Sequence, residues 1–298
     1  MAGINHNRTT SGVILPPEVS NEIWQDTQNE SVIQRLVPKV TLPGSGITIQ
    51  TITGDPVAEW VAETAAKPVG ESTFGQKSMT PYKAAIIELF SDEFRRDKAA
   101  LFNALQTRLP GALAKLFDTA VLFGPAPGSN FDTLAAAPQA SINTAGSVYS
   151  GLLGALSSVA TVGKSDITSW ALSAQGEIKV LGELDGDNRP LFTMNPQTDG
   201  AIGSLLGRSV YKNQAVYKAA GGAGTKETLG FAGDWASARW GTVEGIKIDI
   251  TDQATVTKGS DNINLWQRNM FAVRVEVEFG FIVRDVNRFV RLTGVSGA

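Results

Sequence analysis

The stretch FAVRVEVEFGFIVRDVNRFVRL, residues 271–292, constrains the fold more than any other part of the chain. Val273, Val275, Val277 and Phe279 alternate with Arg274, Glu276, Glu278 and Gly280, so an extended backbone here has one apolar and one charged face. Whatever the chain folds into must contain a sheet with one covered side. With 298 residues, 42% of them hydrophobic, there is material for one large domain or two closely connected ones.

Earlier segments read as strands as well. VTLPGSGITIQTI, residues 40–52, turns Ile47, Ile49 and Thr51 one way and Thr48, Gln50 and Ile52 the other, between Pro-Gly and Gly-Asp turns. SMTPYKAAIIELFS returns as a second strand, with Tyr82, Ala84, Ile86 and Glu88 facing opposite to Lys83, Ala85, Ile87 and Leu89. Between the two lies EWVAETAAKPVGESTFGQK, residues 59–77, a polar excursion carrying one Trp, with the composition of neither a helix nor a core. A long hairpin-like loop is expected there.

The best helical region is SDEFRRDKAALFNALQTRLPGALAKLFDTAVLFG. Leu101, Leu105, Leu109, Ala112, Leu116, Ala120 and Phe123 recur at three or four residues and predict one buried stripe, with Lys115 and Asp118 off it. Gly124-Pro125 predicts the end, and Pro110 a kink or break. Before it, Val19, Ile23, Val32, Ile33 and Leu36 predict short helices after an extended arm. After it come an Ala, Pro, Ser and Gly-rich passage, a helix over 148–159, and strand-like runs punctuated by glycines, which give the middle an α+β character.

Catalytic chemistry finds little to work with. Cysteine is absent, which removes disulfide frameworks and thiolate metal sites, and the only histidine, His6, stands in a polar leader. No glycine cluster has the spacing of a phosphate loop, and Asp185 and Asp187 start no calcium loop. Glu59 with Glu63, and Glu276 with Glu278, are carboxylate pairs, read here as a charged loop and a solvent- or subunit-facing strand edge. No catalytic, cofactor or metal residue is assigned. A net charge of −3 lacks the basic footprint of a protein that grips nucleic acid tightly. No run of eighteen apolar residues occurs and no signal peptide is evident, so no membrane partner is expected.

The order of features resembles the Hong Kong 97-like major capsid proteins of tailed bacteriophages, a fold shared with encapsulin shells. The residues that carry the resemblance are an N-terminal arm, the strand-framed excursion, TPYKAAIIELFSDEFRRD leading into a long helix, LLGRSV at 205–210, GDW at 233–235, and NMFAVRVEVEFGFIVRDVNRFVRL at 269–292. The resemblance spans nearly the whole chain. It implies an α+β fold with an N-terminal arm over residues 1–43, an extension loop over 44–80, a peripheral domain with its spine helix over 81–124, a mainly axial domain over 125–262, and a return to the peripheral domain over 263–298.

The function implied is that of a non-enzymatic shell subunit. Many copies, as hexamers and pentamers, would form an icosahedral head around double-stranded DNA, held by containment or weak non-specific contact. A portal protein and a separate scaffolding or decoration protein are the other partners implied, since no leader of about one hundred residues precedes the arm. Assembly would take place in the bacterial cytoplasm and the product would be the virion capsid. The subunit-interface candidates are Trp60, Glu59, Glu63, Lys67, Phe74 and Lys77 in the loop, and Arg274, Glu276, Glu278, Arg284 and Arg288 near the C-terminus. Lys67, Lys77 and Asn287 do not identify the Lys-Asn-Glu crosslinking triad of some relatives. The alternatives are an encapsulin-like nanocompartment and a soluble carboxylate-dependent glycosidase.

Overall fold

The computed structural model describes residues 31–54, 58–63, 66–67, 69–91, 98–143, 146–185, 187, 189–192, 203–222 and 225–296. His6 and the expected arm helix around Val19 and Ile23 lie outside them. The described chain begins with α1 (Val32–Leu36), β1 (Lys39–Thr41), β2 (Ile47–Gly54), β3 (Thr73–Met79), β4 (Tyr82–Ser91) and α2 (Lys98–Phe123). It continues through β5 (Gln139–Ser141), α3 (Val148–Thr161), β6 (Ser169–Leu172), α4 (Ala174–Leu181), β7 (Ser204–Leu205), β8 (Arg208–Lys212) and β9 (Lys226–Gly233). The last strands are β10 (Ala238–Thr242), β11 (Lys247–Thr251), β12 (Thr255–Lys258), β13 (Asp261–Asn264), β14 (Met270–Val283) and β15 (Phe289–Ser296).

The alternating stretch forms β14, which organises a five-stranded sheet. One edge of β14 pairs antiparallel with β4, Met270 opposite Ser91 through Phe279 opposite Tyr82. Its other edge takes β11 along Ala272–Glu276 and β10 along Phe279–Val283, and β1 runs parallel to β10. Val273, Val275, Val277 and Phe279 are all buried, whereas Arg274 is exposed and Glu276 and Glu278 are partly so. The covered face packs on α2, where Phe117 lies 4.6 Å from Phe279 between ring centroids, and Phe131 and Trp240 fill the same core.

A second sheet, in the order β5-β15-β9-β6-β8-β7, has its own core of Leu152, Val159, Trp170, Leu229, Val290 and Leu292 beneath α3. The LLGRSV segment is the β7–β8 hairpin. Leu206 and Gly207 both take positive φ (51° and 77°), a two-residue turn whose twist suits adjacent strands. The architecture is α+β. β10 and β11 share the sheet of β14 and β4, while β15 lies in the second sheet between β9 and β5.

Helix α2 corrects two expectations. Its buried face is Leu113, Ala114, Phe117, Asp118, Val121 and Leu122, whereas Leu116 is half exposed and Ala112 exposed. The buried face lies about one residue beyond the predicted stripe, because Phe117 and Val121 set its phase and not the spacing of the leucines. The side chains of Leu101, Leu105 and Leu109 lie outside what is described. The helix also runs unbroken through Pro110 to Phe123, with Gly124 (φ +69°) ending it. A helix holds across one proline when packing outweighs a single missing hydrogen bond. Phe117→Ala should cost the unassembled chain about 3–5 kcal/mol in urea unfolding, and Leu116→Ala less than about 0.5 kcal/mol.

Candidate assembly surface

The excursion carries a strand of its own, β3, so the hairpin is β2–β3 and not the expected pair of β2 and β4, the latter pairing with β14. β2 and β3 pair antiparallel from Ile47 opposite Met79 to Gly54 opposite Thr73, with an irregularity near the far end. Its root is built into the body by a small cluster of Leu42, Met79 and Ile282, flanked by Ile47, Ile49 and Val243. Room for that cluster comes from two glycines facing each other across β10 and β14. A Cβ on Gly241 would lie 2.7 Å from Leu42, and one on Gly280 2.8 Å from Leu42 and 2.9 Å from Met79. Lys77 adds a polar rivet, its Nζ 2.9 Å from Asp132 Oδ2 and donating to the Val283 carbonyl at 2.7 Å.

Beyond the root the described residues turn outward. Trp60 is fully exposed, Val69 is 91% exposed, and Glu59, Glu63 and Lys67 are exposed as well. Glu59 and Glu63 sit in irregular backbone and not on a helix, so the shared face considered for them does not form. The side chain of Phe74 lies outside what is described.

The solvent face of β14 carries a ribbon of charge, each member of which has a partner in its own chain. Arg274 reaches Asp249 at 2.7 Å and Glu276 at 3.3 Å. Lys83 reaches Glu276 at 3.4 Å and Glu278 at 3.9 Å, and Lys247 reaches Asp249 at 3.6 Å. The Arg274 hydrogen bond holds the Asp249 carboxyl below the usual range. Such exposed pairs are screened by water and salt, so they tune the surface more than they hold the fold.

Arg288 has a different setting. Besides the long connection from β4 to β5 through α2, the chain passes between the two sheets from β9 to β10 through GDW and from β14 to β15 through Arg284–Arg288. The two passages are bonded to each other. Asp234 N–H donates to Arg288 O at 3.0 Å, Arg284 N–H donates to Ser237 O at 3.1 Å, and Arg288 Nη1 donates to Asp234 Oδ2 at 3.1 Å. Asp234 also accepts from Ser165 Oγ at 2.9 Å. Gly233 allows the approach, since a Cβ there would sit 2.5 Å from Arg288 O, and buried Trp235 donates its Nε1–H to Ser169 O at 3.0 Å. Arg284 alone of the C-terminal candidates is exposed with no carboxylate partner among the described residues.

These placements give no enzyme-like cluster. Among the described residues no group of three or more His, Cys, Asp or Glu could hold a metal ion. What stands out is a hairpin ending in an exposed tryptophan beside two sheets welded at a double crossing. The sequence model described as the phage capsid family matches residues 11–294.

The chain belongs to the phage capsid family.

It is 31% identical over 294 residues to the probable major capsid protein gp17 of Mycobacterium phage D29, covering 94% of this chain and 90% of that one. The same-named protein of Mycobacterium phage L5 is 30% identical over 297 residues, with 94% and 89% covered. A solved chain of Microbacterium phage Oxtober96 has the same fold at a TM-score of 0.75 and 16% identity, covering 97% of this chain and 95% of that one. The role of this phage capsid family member is structural, that of a major capsid protein of tailed phages, many copies of which form a virion shell. These matches favour neither the glycosidase nor the encapsulin alternative.

One internal joint of this capsid protein runs against the polarity pattern of α2. Asp118, on the buried face of α2, accepts from Ser31 Oγ at 2.6 Å and from the amides of Val32 at 2.9 Å and Ile33 at 3.3 Å, capping α1. The available signal was an aspartate one residue after Phe117, in phase with Val121 and Leu122. Burial pushes its carboxyl up to about 6, with the three donors pulling back against that rise. A folded carboxyl that holds its proton more tightly than the unfolded chain loses stability as pH rises from about 4 to about 6. Over that window the loss from Asp118 should be on the order of 3 kcal/mol in unfolding measurements, and Asp118→Asn should remove it. Asp118→Ala should cost about 1–3 kcal/mol by leaving buried donors unpaired.

Proposed function

We propose that copies of this capsid protein close an icosahedral head around double-stranded DNA, as hexamers and pentamers, and that residues 44–80 are the extension loop by which each copy holds its neighbour. The observation that carries this reading is Trp60. A two-stranded arm with a fully exposed indole at its far end is marginal by itself in water, and burial against another copy supplies what is missing. Glu59, Glu63 and Lys67 around it offer a polar rim of the kind that surrounds an interface core. Phe74 belongs to the same proposed interface by its place in β3.

The remaining candidates divide by their present partners. Arg284 is free to pair across a boundary, while Arg274, Glu276, Glu278, Lys77 and Arg288 would have to exchange or share partners they already hold. DNA would be contained mechanically, since a chain of net charge −3 has no general affinity for it. A portal protein and a scaffolding or decoration protein complete the proposed set of partners, assembly takes place in the bacterial cytoplasm, and the chain carries no enzymatic step of its own. By this reading 81–124 and 263–298 belong to the peripheral domain and 125–262 mainly to the axial one.

Trp60→Ala should reduce the yield of closed particles by roughly tenfold or more while moving the unfolding free energy of the unassembled chain by less than about 0.5 kcal/mol. Negative-stain counting and urea unfolding of the same preparations read the two effects. Cryo-electron microscopy of native particles decides the rest: closed shells with DNA inside and the loop lying on a neighbour are expected. Shells filled with a defined enzyme, or a loop packed only on its own body, would overturn the proposal.

A further inference from the structure

At the double crossing a cavity of about 310 Å³ opens between the hairpin root and the passages that join the sheets. Ile49 and Ile282 contribute its apolar wall, and Lys77, Arg239, Arg284 and Arg288 line it against a single carboxylate, Asp234. Asp234 is engaged by Arg288, and Lys77 is engaged by Asp132 from an adjoining cavity. Asp285 also lies in that adjoining cavity, where its Oδ1 accepts from the Asn287 amide. Two guanidinium groups therefore remain without a carboxylate among the described residues. Arg239 bonds only backbone there, its Nη1 donating to Ala236 O at 2.5 Å and Ala238 O at 2.6 Å, and Arg284 bonds none.

We propose that this cavity is an oxyanion site, in which Arg239 and Arg284, supported by Lys77 and Arg288, hold a phosphate group. Guanidinium presents a planar fork of donors matched to phosphate oxygens, and a concave wall of like charge concentrates the field on an entering anion. The site is preorganised. Arg239 stands on β10, opposite Ile282 of β14, with its guanidinium held by the two carbonyls, and Arg284 is tied through its amide to Ser237. An excess of two positive charges suits a phosphate dianion better than a lone carboxylate, which would satisfy one guanidinium and leave the other. The phosphate can be free or part of a nucleic-acid backbone, because the recognising chemistry is the same. A bound anion would brace the hairpin root, the end of β14 and both crossings at once.

The test uses the full chain in its unassembled form, at an ionic strength held constant with sodium chloride. Sodium phosphate at roughly ten times its Kd should raise the melting temperature by about 2–4 °C. Arg284→Gln and Arg239→Gln should each abolish that rise, whereas Arg268→Gln, which removes the same charge from the exposed turn at 266–268, should leave it intact. A short DNA duplex is titrated in parallel. A response to duplex that phosphate competes away and Arg284→Gln removes assigns the phosphate to a nucleic-acid backbone, and a response to phosphate alone assigns it to the free anion. The proposal is overturned by no rise with either ligand, by an equal rise in Arg284→Gln, or by particle density showing a neighbouring copy's carboxylate in the cavity.

Discussion

The structure depends on the two strand-to-strand passages being bonded to each other. β9 leads into β10 and β14 into β15, so the covalent chain crosses between the sheets twice within a few ångströms. A single crossing would act as a swivel. Two crossings joined by backbone hydrogen bonds and by the half-buried Arg288–Asp234 pair resist rotation about either one. The aspartate is well served here: a serine hydroxyl and a guanidinium share one of its oxygens, so its charge is paired where water is scarce. Both cores grow outward from this joint, with Phe289 in one and Val290 in the other.

The elements with a strict period were legible in the sequence. β14 needed only its alternation, because a one-residue slip would have exchanged its valines for arginine and glutamate. β2 and β4 followed from alternation bounded by Pro and Gly, whereas β3 was not legible, because most of it lies in the polar stretch 59–77 that has the composition of a loop. The phase of α2 was not legible by the same route. Its apolar residues are dense enough to support several stripes, and the true one contains an aspartate that a polarity count places in water. Nothing local reveals that Asp118 meets the amides of a helix 85 residues earlier in the chain.

The surface residues divide in a similar way. Trp60 was recognisable as an outlier because an indole among small and charged residues has no evident core to join. The charged positions of β14 were recognisable as a wet face, but their partners were not, since Lys83, Lys247 and Asp249 reach them only through strand register. Arg239 escaped altogether. Nothing distinguishes it from any other arginine in a strand until β10 places it beside Arg284 across a cavity, a relation that arises from the crossing and not from spacing. Resemblance to shell proteins organised these pieces, while the physical ties between them came from the fold.

The facing glycines of β10 and β14 have a consequence for how the hairpin is carried. Leu42 and Met79 settle into a notch made by two missing methyl groups, so the root packs directly on the strand backbones. A side chain at either position would raise the root like a shim under a lever. The displacement at the far end would exceed that at the root, because the arm extends six residues of β3, Thr73–Ser78, beyond Met79 at its fulcrum. The seating of the hairpin root is therefore set by two hydrogen atoms in the centre of a sheet, far along the chain from the hairpin itself.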